Sequence, residues 1–340
     1  MQGLCSILHF IGLLEGFSWI YTSVGSSDTS HPISATIQSF CYICGFSVLL
    51  SSIHTAWLRS KELSDFINLY GVSIYKTKNP KLRFRMQNVL LSLAPAILIV
   101  VYNMVRIDSW GFQQICSFFS LNETSFKQTW NFQAIRIFFI TCKLLCQIMY
   151  VFSNGLIIFI VSILKMVGNQ YRQIVEDQLQ SKEMDINLII QAEDNVRKAV
   201  NSAMQLITMR VILDYSVSIT YFATISYLQD GARETLYVGL YLIVSAIFWI
   251  IACELHYQVK ETTKRWTHPC LRHTTNLSLE RKLSVIALQS ENEANPVAIS
   301  CRFFTITYGF LGSMVGLIIT YATIVFQMRT ETDQIHRKSL

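Results

Sequence analysis

Apolar residues in this chain gather into seven long blocks, over residues 4–21, 33–58, 86–105, 134–167, 203–228, 235–255 and 301–326. A helix needs roughly 20 predominantly apolar residues to cross ~30 Å of hydrocarbon, and these blocks are of that order. In lipid, every backbone N–H and C=O must find its partner within its own segment, so blocks of this kind are predicted to be helices. The expected fold class is therefore all-α, a polytopic membrane protein whose seven transmembrane helices form a single domain over residues 1–340. The first block is the weakest, because it holds His9 and Glu15. A signal peptide is the competing reading, but no basic segment precedes the block and no small-residue cleavage site is evident. Pro95 lies inside the third block. The fourth is long enough to continue past a membrane. The last would measure ~39 Å as one helix, so it is expected to be tilted, kinked or broken. Two polar stretches, 169–201 and 257–295, are predicted to be cytoplasmic and helical. The first carries mixed charge, which suits a solvated helix face or a subunit contact extending the fourth and fifth helices. No two halves of the chain share a pattern of interrupted spans, which argues against an inverted-repeat transporter.

Charge gives this pattern a direction. Loops after the even-numbered spans hold 17 lysines and arginines, and loops after the odd-numbered spans hold 3. Positive loops stay in the cytoplasm, so the N-terminus is predicted inside and the C-terminus outside. The sequon Asn122-Glu123-Thr124 then falls in an outer loop, where it is a glycosylation candidate. Composition agrees with a membrane protein: 51% of residues are apolar and 15% charged, against about 25% charged in soluble domains. The net charge of +6 is carried mainly by loops between spans, so it records topology and does not point to nucleic acid. Most of the nine cysteines, including Cys41, Cys44, Cys142, Cys146 and Cys253, lie within apolar blocks, and none has metal-type Cys/His spacing. No metal and no cofactor is expected. No Gly-rich phosphate loop, His-Glu-x-x-His or usable Ser/His/Asp set occurs, so an enzyme is not expected.

The last block has one distinctive edge. Gly309, Gly312, Gly316, Thr320, Thr323 and Gln327 follow one another at steps of three or four and share one helical face. A polar stripe in lipid needs partners. Two readings stand: helix packing through Gly309, Gly312 and Gly316, since Gly-x-x-x-Gly permits close approach, or a water-lined pore with Thr320, Thr323 and Gln327 on its axis. Hydroxyl and amide rings replace part of a cation's hydration shell without a fixed charge, which suits weak selectivity. Ionisable residues within spans are functional candidates. Arg136 and Lys143 share a face of the fourth span, and Arg210 and Asp214 lie four apart in the fifth. Arg210 and Asp214 pair with each other, or Lys143 meets Asp214 between helices. Tyr215, Tyr221, Phe222, Tyr227, Tyr237 and Tyr241 cluster toward the outer ends of the fifth and sixth spans, as an interfacial belt or a ligand pocket.

The segment Thr320-Tyr321-Ala322-Thr323-Ile324-Val325-Phe326-Gln327-Met328 resembles the signature of insect gustatory receptors: Thr-Tyr, five mainly hydrophobic residues, then Gln and an aromatic. Thr320, Tyr321 and Gln327 match, and Met328 replaces the final aromatic. The inverted topology and the long basic stretch before the last span also fit that family. One departure is the start, because family members carry a longer segment before the first span. The resemblance implies a ligand-gated, non-selective cation channel in the plasma membrane that responds to a small-molecule tastant or other chemical ligand. It further implies homo- or heterotetramers in which the last helix lines a central pore and Gln327 stands near its outer constriction. A seven-span metabotropic receptor is the alternative, along with a transporter. The metabotropic reading requires an outside N-terminus and an Asp-Arg-Tyr-type motif, where this chain has Arg106-Ile107-Asp108.

Overall fold

The computed structural model describes residues 54–71, 130–181, 184–228, 232–272, 278–301 and 303–338, with single residues 51, 94, 97, 98 and 101. The predicted span at 4–21, most of those at 33–58 and 86–105, Asn122, and the side chains of Arg136 and Lys143 lie outside the described residues. Six helices are described: α1 (Ser60–Phe66), α2 (Trp130–Gln180), α3 (Ile186–Leu228), α4 (Ala232–Arg272), α5 (Leu279–Ala294) and α6 (Tyr308–Lys338). A π-helical turn, Ile67–Gly71, follows α1. Among the described residues there is no strand, only an isolated antiparallel bridge between Ser300 and Thr305. Two stretches, Val151–Gln180 and Ile243–Leu271, are helical, long and apolar enough to cross a bilayer.

The chain folds differently from the apolar pattern at three places. The stretch 169–201 is not one helix: α2 runs on through Gln180 and α3 begins at Ile186. Asp185 causes the restart, because its Oδ1 accepts from the backbone N–H groups of Asn187 at 3.0 Å and Leu188 at 3.3 Å. That is N-cap geometry, which satisfies donors a helix start leaves orphaned. The stretch 257–295 likewise divides into the end of α4 and all of α5, whose start is capped by Ser278 Oγ accepting from Arg281 N–H. The last helix starts at Tyr308, not at Cys301. Residues 301–307 are apolar enough to extend the block, but Cys301 and Ile306 bond to Phe304 O and Ile299 O across the bridge. Thr307 Oγ1 then accepts from Phe310 N–H at 3.1 Å and caps the helix.

α2 is the central rod. It packs against α4 and α3; α6 lies on α3, α5 on α4, and α1 on α3. Trp249, Trp266, Tyr171, Ile158, Leu164 and Leu255 are fully buried in one continuous core. α2 and α4 come close at Gly168, where an added Cβ would stand 3.0 Å from Leu255 Cδ1. A side chain there needs Leu255 to shift by a few tenths of an ångström, so glycine is favoured by the approach of a neighbouring side chain and not by backbone angles. Thr55 ties the preceding segment to the bundle by donating to Leu206 O at 2.9 Å.

Candidate functional site

α6 is 31 residues long, about 46 Å at 1.5 Å per residue. It meets its own chain through Phe310, Leu311, Met314 and Ile318, which pack on the core at steps of one, three and four. The opposite face carries the small and polar edge. Gly312 and Gly316 would have no atom within 4 Å of an added Cβ. Thr320, Thr323 and Gln327 are exposed, as is Tyr321 of the motif. The glycines therefore have no packing partner among the described residues of this chain. Thr320 and Thr323 donate to the carbonyls of Gly316 and Ile319, each at 2.9 Å. Their hydroxyl protons are thereby satisfied within the helix, and their oxygen lone pairs face outward as acceptors. Val315, Ile319 and Ile324 are also exposed, so α6 leaves both apolar and polar positions uncovered beyond its first turns.

The start of α6 is held by an aromatic box. Phe304 and Phe310 stack at 4.6 Å between ring centroids, and Tyr215 of α3 lies 4.9 Å from Phe304. Trp249 of α4 stands 5.9 Å from Phe310. Such pairs add about 0.5–1.5 kcal/mol each beyond their area. Of the tyrosine-rich cluster read from the sequence, Tyr215 is thus a packing residue at the root of α6. The side chains of Tyr221, Phe222, Tyr227, Tyr237 and Tyr241 lie outside the described residues.

Two buried polar centres join the helices. In the first, Arg210 Nε donates to Asp214 Oδ2 at 2.9 Å on the same helix, and the two residues are 4% and 5% exposed. The other guanidinium nitrogens reach α2, with Nη2 donating to Asn154 Oδ1 at 3.0 Å and Nη1 to Ser153 Oγ. Arg210 and Asp214 therefore pair with each other. Ser153 and Asn154 give Arg210 its bonds to the neighbouring helix, while the side chain of Lys143, the other candidate partner for Asp214, lies outside the described residues.

The second centre does not stand out in the sequence. Glu193 of α3 is wholly buried. Its Oε2 accepts from Tyr171 of α2 at 2.7 Å and from Thr263 of α4 at 2.9 Å, and its Oε1 accepts from Asn292 of α5. Trp266 Nε1 donates to the Tyr171 hydroxyl at 2.8 Å. Arg197, one turn along α3, donates to Asn292 Oδ1 at 2.7 Å and to Asn295 O at 2.9 Å. Four helices are clamped on one carboxyl group, and Asn295 opens the connection that leads into α6. A signal for it exists in the sequence: Ile186, Ile189, Val196, Val200 and Ala203 form a buried stripe, and Glu193 falls in it at the same spacing.

No family model and no curated protein matches the chain. Its fold is similar to that of a solved insect olfactory receptor. The insect olfactory receptor OR5 of Machilis hrabei superposes with a TM-score of 0.60 at 16% identity, covering 95% of this chain and 88% of that one. The same receptor in complex with eugenol gives 0.58 at 16% identity, covering 96% and 89%.

Proposed function

We propose that this chain is a chemosensory receptor of the gustatory type that works as a ligand-gated, non-selective cation channel. In this reading it crosses the plasma membrane seven times, with its N-terminus inside and its C-terminus outside. Four subunits, identical or related, bring their α6 helices around a shared water path. The observation that carries the proposal is the uncovered edge of α6, where Gly312, Gly316, Thr320, Thr323 and Gln327 lie away from their own chain's core while the opposite face is packed. A polar edge of that length at membrane depth calls for water or a sister helix. A ring of such edges supplies both, because glycines allow close approach and hydroxyls and amides solvate a passing cation. The Thr320-Tyr321…Gln327 signature favours the gustatory branch, and the fold shared with an insect olfactory receptor supports the chemoreceptor class. Small-molecule ligands are expected to act on the earlier helices.

The test is electrical. Cells expressing the chain, alone and with related receptors, are challenged with a ligand panel under patch clamp. Evoked cation currents are expected, and Gln327→Ala is expected to change relative cation permeability or unitary conductance by about twofold or more, since it removes the amide ring at the constriction. Permeation identical to wild type would take Gln327 out of the pore. A second measurement checks the threading. An epitope fused after Leu340 should be labelled on intact cells, and labelling only after permeabilisation would remove the topology and with it the shared pore. Ligand responses that need a G protein and carry no current of their own would favour the metabotropic alternative.

A further inference from the structure

Between α4 and α5 lies a cavity of about 470 Å³, within the roughly 300–1,000 Å³ of small-molecule sites. Lys260, Lys264 and Thr263 of α4 form one wall, Asn292 and Glu293 of α5 the other, and Val297 closes it at the connection toward α6. The polar groups on these walls differ in what they have left to offer. Thr263 and Asn292 already donate to Glu193. Glu293 accepts from Gln289 at 3.3 Å. Lys264 stands 3.8 Å from Glu261, at the edge of an ion pair, and is exposed. Lys260 is exposed and makes no hydrogen bond or ion pair among the described residues, unlike Lys198, which is 2.7 Å from Asp194. The cavity therefore presents two ammonium groups, Lys260 without a partner among the described residues and Lys264 loosely shared with Glu261, against one lining acid, Glu293. Their backbone positions are one turn apart, about 6 Å along α4.

The geometry points to a binding site for a polyphosphorylated anion in this cavity, with neighbouring phosphates on Lys260 and Lys264. Lysine binds phosphate as a compact point charge, and basic pockets at the cytosolic border of a membrane take phosphorylated lipid head groups. The anion is supplied by an inositol phospholipid or by a free inositol polyphosphate. The lipid source alone rests on the topology proposed above, which puts this wall of α4 on the cytosolic side. An occupant touches Thr263 and Asn292, which belong to the Glu193 clamp, and Val297, whose carbonyl meets His256 Nδ1 at 3.3 Å. Its presence is thereby read by the connection into α6.

The full chain is purified into nanodiscs of phosphatidylcholine alone or with phosphatidylinositol 4,5-bisphosphate, and inositol hexakisphosphate is titrated onto the former. Saturable binding is expected. The double variant Lys260→Gln/Lys264→Gln should weaken it by about thirtyfold, because each ammonium charge removed from beside the phosphates costs about fivefold in affinity. Lys61→Gln, on α1, should leave it unchanged. Glu293→Gln should tighten it, so the site stays testable even where the double variant does not fold. Binding of the soluble probe identifies a free anion as sufficient, and binding only in the lipid-doped discs identifies the membrane as the source. Absence of saturable binding to both probes, or affinities that ignore the lysine and glutamate changes, overturns the site. The readout is binding and not current, so it fails or stands independently of the channel assignment.

Discussion

Arg210→Ala is expected to lower the stability of the folded chain by roughly 3–5 kcal/mol, the range for removing one partner of a buried ion pair. The carboxyl of Asp214 remains at 5% exposure without its cation, and Ser153 and Asn154 on α2 lose the guanidinium that links them to α3. The double variant Arg210→Met/Asp214→Leu is expected to recover most of that loss, because an apolar pair of similar volume leaves no orphaned charge. Thermal melts of purified protein followed by size-exclusion fluorescence measure both. A melt unaffected by Arg210→Ala would mean that Asp214 is satisfied from elsewhere. A double variant no better than the single would mean that Ser153 and Asn154 matter more than the charge.

Glu193→Ala should cost a similar amount, roughly 3–5 kcal/mol, since each buried donor left without an acceptor costs about 1–3 kcal/mol. Two donors are stranded at once, that of Asn292 and one of the Tyr171 and Thr263 hydroxyls, which lie 2.9 Å apart so that one can still donate to the other. Glu193→Gln discriminates between loss of the carboxyl and loss of volume. Its amide oxygen can still receive Tyr171 and Thr263, but its NH2 then faces the NH2 of Asn292. Asn292 cannot turn its amide over, because its oxygen is held by Arg197 at 2.7 Å. The glutamine variant is therefore expected between wild type and alanine, with a cost of about 1–3 kcal/mol. Equal melts for glutamine and alanine would show that both oxygens are needed. An alanine variant as stable as wild type would remove the clamp as a source of stability.

The fourth, fifth and sixth apolar blocks appear in the structure within α2, α3 and α4, each extended well past the apolar run. The extension escapes the pattern because helix continuity does not require apolar residues: Asn169–Gln180 turns the same backbone as the span before it, with Tyr171 and Val175 facing inward. Asp185 and Thr307 are legible as caps, each just before an apolar run, but the mixed polar and apolar residues around them hide the boundaries. The small-and-polar edge of α6 follows from spacing alone, and the exposure of Thr320, Thr323 and Gln327 places it away from the packed face. Arg210 and Asp214 are visible as a pair four apart, whereas Ser153 and Asn154 sit more than fifty positions away, and no local rule joins them. Glu193 is hidden by its type. A charged residue on a mixed-charge helix reads as solvated until its place among Ile189, Val196 and Val200 is followed around the helix.

The unbroken run of α2 has a consequence for how such a chain can change over generations. One helix of 51 residues carries Ser153 and Asn154 for Arg210, Gly168 against Leu255, and Tyr171 for Glu193. Adding or deleting one residue between any two of them would turn everything downstream by about 100° and detach a partner. Substitutions can accumulate along its outward side, but gain or loss of length is confined to its ends and to the short turn before Ile186.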